Sequence, residues 1–544
     1  MFRTHAWSTW SVRAVLWGVV LCMAAAVAGA QKTAPRQPPP PAAGQAQSGH
    51  SGHGDAHITP EQATELFKLV DELIQFSSQE TGLPVKDQVK RQLTTRADVE
   101  KYLDEKFNED EGAKRLERDE IVLKKFGLLD RDFVLRPFLV ALLKEQIEAY
   151  YDAKTKTVNL LDWIDAEEQK PVLAHELTHA LQDQHSDLEK WDDQTPDEVS
   201  TTAEADTDHL AKDEMDTARD AVAEGQATAV MMDYVLKPLG KSLVKDPEVL
   251  NLVKDQMTGA DSPLMSRAPL LLSESMLFPY REGLSFEQDI WMDQGKEAAF
   301  AGTLDRPPSS SWEIINPREY EKKHIPVVPL LPDIHPLLDP LYKPYDIGQV
   351  GQLDLHILAK LLGGDNTAGT LTPAWNGGIY WAGQLRTART AAEQSSTKSL
   401  ALFYLSAWKS AAAAQGFARL YSNSLARKYS GVRPVNQVAS AESGAVESVF
   451  TTDEGPVVIT TRGNLVFVAE SFELPLARKL TQLVLGAQGV GDVRTARLDV
   501  PRSMRKAADE QPANAQPLTA DLVRIFQSCG VMKSVVDSTV HALH

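Results

Sequence analysis

The sequence predicts an α+β chain, with a mainly helical N-terminal and central part followed by a C-terminal α+β module. Three observations carry this. Leu66, Val70, Leu73 and Ile74 recur at helical spacing. The segment "LAHELTHALQDQH" at 173–185 continues an apolar helical stripe without Gly or Pro. Finally, "VESVFTTDEGPVVITTRGNLVFVAE" at 446–470 alternates as strands do, punctuated by the turn signals Asp453-Glu454-Gly455 and Arg462-Gly463.

At 544 residues the chain exceeds one ordinary core and predicts several domains. Its formal charge of -19 repels phosphate backbones and anionic headgroups, which argues against nucleic acid as a partner. Residues 1–30 read as a signal peptide: Arg3 and Arg13 precede an apolar run that ends in Ala28-Gly29-Ala30. The predicted location is therefore periplasmic or extracellular. Val19-Val20-Leu21 before Cys22 lacks the small residue of a lipid-attachment box, and cleavage after Ala30 leaves Cys529 without an internal partner. No later stretch is long and apolar enough to span a bilayer, so no membrane span is expected after cleavage.

Residues 31–58 form a Pro/Gly/Ser-rich linker predicted to be disordered, in which His50, His53 and His57 read as polar filler. Residues 59–145 are predicted to be helical, opening with Thr59 as N-cap and Pro60 at the first helical position. Thr157, Val158, Leu160 and Leu161 read as a strand that feeds the helix of 173–185 and that an extended substrate can pair with; Pro171 suits that helix's first turn. These elements open a core region at 146–335. The acidic run between Gln182 and Arg219 reads as a solvated excursion, since it has no EF-hand loop pattern. Helix resumes in "ARDAVAEGQATAVMMDYVL" (218–236), and a Pro-rich stretch at 306–332 closes the region. The C-terminal α+β module is placed at 340–500, with helices around 353–362 and 406–429; residues 501–544 read as a tail with a helix.

The chemistry concentrates in 173–185. His175 and His179 are one helical turn apart with Glu176 between them, and Leu173, Leu177, Ala180 and Leu181 form a stripe offset from them. Two imidazoles on one face suit a catalytic zinc, which needs a third protein donor and an open position. His185, Glu204 and Glu224 compete for that role. His185 falls where a third histidine would follow a glycine-induced bend, yet Gln182 stands in place of the glycine; Glu204 sits in the acidic run. Glu224 lies on a clear amphipathic helix, beside Ala and Gly residues that let helices approach, and is the preferred choice. Asp183 and Asp220 are candidates for orienting the ligands. Glu176 is placed to act as general base toward a zinc-activated water, and Tyr280, Tyr234 and His209 are candidates for stabilising the oxyanion.

"HELTHALQDQH" followed by "AEGQAT" resembles the gluzincin-type metallopeptidases of bacterial exported proteins, in particular a largely uncharacterised group in which this helix and a later E-G-x-A-T helix recur. Similar blocks are "EQIEAYYDAKTKTVNLL" (145–161), "FPYREGLSFEQDIW" (278–291), "RPPSSSWEIINPREY" (306–320) and "PAWNGGIYWAG" (373–383), so the resemblance spans about residues 60 to 490. It implies a zincin-like core at 146–335, one zinc ion held by His175, His179 and Glu224, and Glu176 as base; the substrate does not carry over with it, and a protein or peptide is the partner expected for peptide-bond hydrolysis. The acidic insertion before Glu224 is longer here than in that group. The expected function is an exported zinc-dependent metallopeptidase. The alternative is a catalytically silent zinc-binding envelope scaffold that engages a partner through its C-terminal module. Glu176 favours the enzyme, because a structural zinc site takes four protein ligands and has no use for a free carboxylate beside the metal. Residues 59–143 read either as a prosegment over the cleft or as a permanent subdomain.

Overall fold

The computed structural model describes residues 58–101, 110–146, 149–192, 194, 199, 201–243, 246–257, 262–324, 327–440 and 444–488. The expected signal peptide, the linker with its histidines, both cysteines and the C-terminal tail lie outside the described residues. The architecture is α+β, built from a helical part that carries a small sheet and a part organised on a seven-stranded sheet.

Thr59 caps the first helix, α1 (Pro60–Thr81), with Pro60 at its start, as the sequence predicts; Gln62 completes a reciprocal box with it. The run from 59 to 145 is not all helix, however. It includes β1 (Lys90–Thr94), followed by α2 (Asp110–Phe126) and α3 (Leu135–Gln146). After α3 comes β2 (Ala149–Asp152), which leads into β3 (Thr157–Leu161). The sheet order is β1-β3-β2, with β3 parallel to β1 and antiparallel to β2. The strand predicted to receive substrate, β3, is therefore the middle strand with both edges occupied; β2 is an edge.

Next comes α4 (Ala166–Ser186), capped by the Asp165 carboxylate on the Glu167 amide at 2.8 Å. The helix starts ahead of the predicted turn, so Pro171 lies inside it. Buried Gln169 ties its first turn to the end of β3, accepting from the Leu161 amide and donating to the Leu161 carbonyl. Then follow α5 (Ala203–Lys212), α6 (Met215–Leu236) and α7 (Leu270–Gln294). Every residue of α6 from Asp220 to Asp233 is buried, which makes it the central helix of this part.

The α6–α7 approach is glycine-dependent. A Cβ on Gly283 would lie 2.0 Å from the Ala221 carbonyl oxygen, and one on Gly225 would lie 2.3 Å from the Gly283 carbonyl carbon. Gly283→Ala is expected to lower stability by about 1–3 kcal/mol or more, because backbone rather than a flexible side chain must yield. An unchanged urea midpoint would contradict the close approach.

The C-terminal part contains β4 (Tyr342–Gln349), α8 (Gln352–Gly363), β5 (Trp375–Leu385), β6 (Leu400–Trp408), α9 (Ala411–Ser424), β7 (Arg433–Ser440), β8 (Ala445–Thr452), β9 (Gly455–Arg462), β10 (Leu465–Glu470) and α10 (Leu474–Ala487). The sheet runs β4-β5-β6-β10-β9-β8-β7. One face packs on α8 and α9, and also on Ile121, Val122 and Phe126 of α2; the other packs on α10 and on Leu331, Ile334 and Leu338. A segment early in the chain thus completes the core of a sheet formed late in it.

The acidic run is not the solvated excursion expected. Asp183, Asp206, Asp213, Glu214 and Asp216 are buried. Asp213 accepts from the Gln349 amide at 2.6 Å, Glu214 from the Ser311 hydroxyl at 2.5 Å, and Asp206 lies 3.1 Å from His335 Nε2. These carboxylates fasten α5 and the start of α6 to residues downstream of 310, which is why they tolerate burial. Among the described residues no helix is long and apolar enough to cross a membrane.

Candidate metal centre

Within α4, the turn between His175 and His179 puts both imidazoles on one face, and α6 crosses so that Glu224 meets them. His175 Nε2 and His179 Nε2 are 3.1 Å apart. Glu224 Oε2 is 3.1 Å from the first ring nitrogen, and Oε1 is 3.2 Å from the second. All three residues are buried, and one ligand atom from each lies within 4.8 Å of the others. Tetrahedral bonds of about 2.0–2.1 Å place ligand atoms roughly 3.3 Å apart, so this spacing fits a divalent ion such as zinc. Among the described residues no hydrogen-bond donor other than the two rings approaches the Glu224 carboxylate, and two ring nitrogens face each other across it. A bound cation would satisfy all of these groups at once.

Burial alone would raise the Glu224 carboxyl; the His179 charge and both histidine hydrogen bonds outweigh it and hold the group below the usual carboxylate range. Glu176 behaves in the opposite way. Its burial pushes the carboxyl up to about 8, against the pull of His179 and of the Tyr151 amide. That amide, on edge strand β2, donates to Glu176 Oε2 at 2.7 Å, while Oε1 has no hydrogen-bond partner among the described residues. A nearby divalent cation would favour the ionised form and bring Glu176 back toward a basic carboxylate.

The other sequence candidates separate cleanly. His185 turns away to Asp305, with Nε2 2.9 Å from its carboxylate. Glu204 is exposed on α5. Tyr280 on α7 is buried and stacks on the His175 ring, centroids 6.4 Å apart. Tyr234 instead packs edge-on against Phe76, and His209 sits 3.7 Å from Asp213. Asp220 is buried on α6 one turn before Glu224. Asp183 accepts from the Tyr151 hydroxyl at 2.7 Å and from Lys156 at 2.8 Å, and so clamps β2 to α4.

The group that touches His179 from behind is Gln182, whose Oε1 is 2.8 Å from Nδ1. Sequence reasoning noticed Gln182 only as a missing glycine and passed over Gln226. The available signal was position: Gln182 is three residues after His179, hence on the same helix face, and Gln226 is a bulky polar residue among the Gly and Ala that follow Glu224.

Beyond the glutamines lies Glu287 on α7, completely buried, its Oε2 3.4 Å from the Thr303 hydroxyl. Burial raises its carboxyl well above the ordinary value. A folded-state pKa above the unfolded one means that the native state binds the proton more tightly. Stability is then greatest below the unfolded value and falls as pH rises through the folded one. Glu287→Gln removes the titration and is expected to flatten that decline, raising Tm near neutral pH by on the order of a few degrees. Parallel Tm–pH curves for the variant and the parent protein would contradict a buried neutral Glu287.

No family model, curated protein or solved structure matches this chain.

Proposed function

We propose that the protein is an exported zinc metallopeptidase of the gluzincin type, with a zincin-like core spanning 146–335, His175, His179 and Glu224 as ligands, and Glu176 as general base toward a peptide substrate. The observation that supports it most is the convergence of two ring nitrogens and one carboxylate at about 3 Å spacings, next to a buried carboxylate that is not part of the triangle.

Zinc in this triangle would supply a Lewis acid and lower the pKa of a water toward about 7. The chain's own groups do the rest. Glu176 Oε1, which has no competing hydrogen bond among the described residues, takes the proton from the attacking water, while the Tyr151 amide fixes Oε2. Glu176 then returns the proton to the leaving amine. An extended peptide along the outer edge of β2 would pass beside Glu176, because the Tyr151 amide already reaches that carboxylate.

The test combines metal content with cleavage. The purified chain is expected to carry one zinc and to cut casein or a peptide library in a chelator-sensitive manner. Glu224→Ala should lose the metal, whereas Glu204→Ala and His185→Ala should keep it. Loss from either of the latter two but not the first would overturn the ligand set, and zinc-loaded protein without turnover would favour the scaffold.

A further inference from the structure

Two fully buried glutamines connect the metal-facing histidine to the backbone that follows α7. Gln226 Nε2 lies 3.0 Å from the carbonyl oxygens of Ala299 and of Phe300, and 2.9 Å from Thr303 Oγ1. Those carbonyls belong to a single π-helical turn, Ala298–Gly302. The Thr303 hydroxyl donates back to the Ala299 carbonyl at 2.7 Å, leaving its oxygen to accept. Gln226 Oε1 faces the other way and is 2.9 Å from Gln182 Nε2, which also donates to the Ala223 carbonyl at 2.9 Å. Gln182 Oε1 then meets His179 Nδ1 at 2.8 Å.

The direction of this chain follows from its far end. Backbone carbonyls only accept, so the amide nitrogen of Gln226 must face Ala299 and Phe300, and its oxygen must face Gln182. Gln182 in turn has two acceptors before it, the Gln226 oxygen and the Ala223 carbonyl, and must present its nitrogen to both. Its oxygen is left for His179, so Nδ1 must carry a proton and donate it. Flipping either amide would set donors against donors and acceptors against acceptors in a site where both glutamines are 0% exposed. The usual partner of a metal-bound imidazole is a carboxylate, a carbonyl or a water; here it is a neutral amide whose orientation is dictated from a third helix.

We infer that Gln182 and Gln226 form an orienting relay, in which the π turn at 298–302 fixes His179 as the Nδ1–H tautomer and so aims its Nε2 lone pair at the metal. Gln182 and Gln226 are positioning residues: neither touches the ion or the substrate. The relay also ties α4, α6 and the turn after α7 together, so the elements that bring His179 and Glu224 into one triangle share one hydrogen-bond chain. This inference rests on the proposal that the triangle holds zinc.

A double-mutant cycle read by zinc affinity tests it, with zinc delivered from a competing chelator and folding followed by circular dichroism. Gln182→Met is expected to weaken zinc binding by about 10- to 100-fold. Gln226→Met, which leaves every ligand and Gln182 in place, should also weaken it. The double variant should be no worse than Gln182→Met alone, since Gln226 acts only through Gln182. Unchanged affinity in folded Gln226→Met, or losses that simply multiply, would overturn the relay. Should Gln226→Met fail to fold, the unmutated zinc-loaded protein provides the second measurement. The His179 Nδ1–H is expected as a slowly exchanging ring resonance in a proton–nitrogen spectrum, and rapid exchange with water there would overturn the inference. A parent protein that takes up no zinc at all would sink the metal reading itself, a result distinct from parent and variants that bind zinc equally.

Discussion

Glu176→Gln is expected to reduce peptide hydrolysis by about 10²- to 10⁴-fold, the range attributable to a positioned proton acceptor, while the protein keeps one zinc per chain. The two halves of this prediction separate base from ligand. An amide has nearly the shape of the carboxylate, and its oxygen can still accept from the Tyr151 amide that now holds Oε2 at 2.7 Å. Packing between β2 and α4 should therefore survive, and Tm should change little. What the amide cannot do is accept a proton from water and pass it on. Glu176→Asp makes a useful companion, because it retains the charge but withdraws it by one methylene; it should fall between the parent protein and the amide variant. Turnover undiminished in Glu176→Gln would remove Glu176 from the chemistry. Loss of zinc from that variant would instead make Glu176 part of the metal's support, contrary to a triangle in which it has no place.

The triangle was legible because both halves of it are local. His175 and His179 are one turn apart on a helix whose apolar stripe is unbroken, and Glu224 sits on a helix marked by its small residues. What surrounds the triangle was not legible, because its partners are remote in sequence. Glu214 bonds a residue 97 positions away, and Asp213 one 136 positions away. Read without these partners, a run of carboxylates looks like solvated surface. The strands divide in the same way. β3 announced itself by its β-branched and apolar residues, but β1 is "KRQLT", polar and largely uncovered, and becomes a strand only by pairing with β3. β6, "LALFYLSAW", is buried at every position, so it lacks the two-residue alternation that distinguishes a half-exposed strand from a buried helical segment. Its last three residues were accordingly read as the start of the helix that follows.

The second large effect is expected far from the His175–His179–Glu224 triangle. Glu470→Leu should destabilise the protein by about 3–5 kcal/mol, the cost of removing one partner from a buried ion pair. Glu470 is wholly buried on β10. It accepts from Lys428 Nζ at 2.7 and 2.8 Å, from the Tyr421 hydroxyl at 2.6 Å and from the Tyr429 hydroxyl at 2.5 Å. With leucine there, both hydroxyls lose their acceptor and the ammonium loses its counter-charge. The contrast with a double variant is decisive: Glu470→Leu/Lys428→Met removes both charges and should recover part of the loss. If the double variant is as unstable as the sum of the singles, the pair is not coupled as drawn. Acid provides an independent check. Burial would raise the Glu470 carboxyl, but the Lys428 charge and the three donors outweigh it and hold the group low. Its contribution is then present above the unfolded carboxylate pKa and lost as pH falls through the folded one, so the gap between parent protein and Glu470→Leu should narrow toward acid. The network also bears on the N-terminal segment. Lys428 donates to the Lys125 carbonyl at 3.1 Å, and buried Lys125 pairs with Glu454 at 2.8 Å and with Ser471 at 2.7 Å. Withdrawing α2 from the sheet would take the buried Lys125 ammonium away from Glu454 and open the apolar face that Ile121, Val122 and Phe126 cover. That segment is expected to stay with the folded protein as a permanent part of the sheet's core, so active material should retain it intact by mass spectrometry.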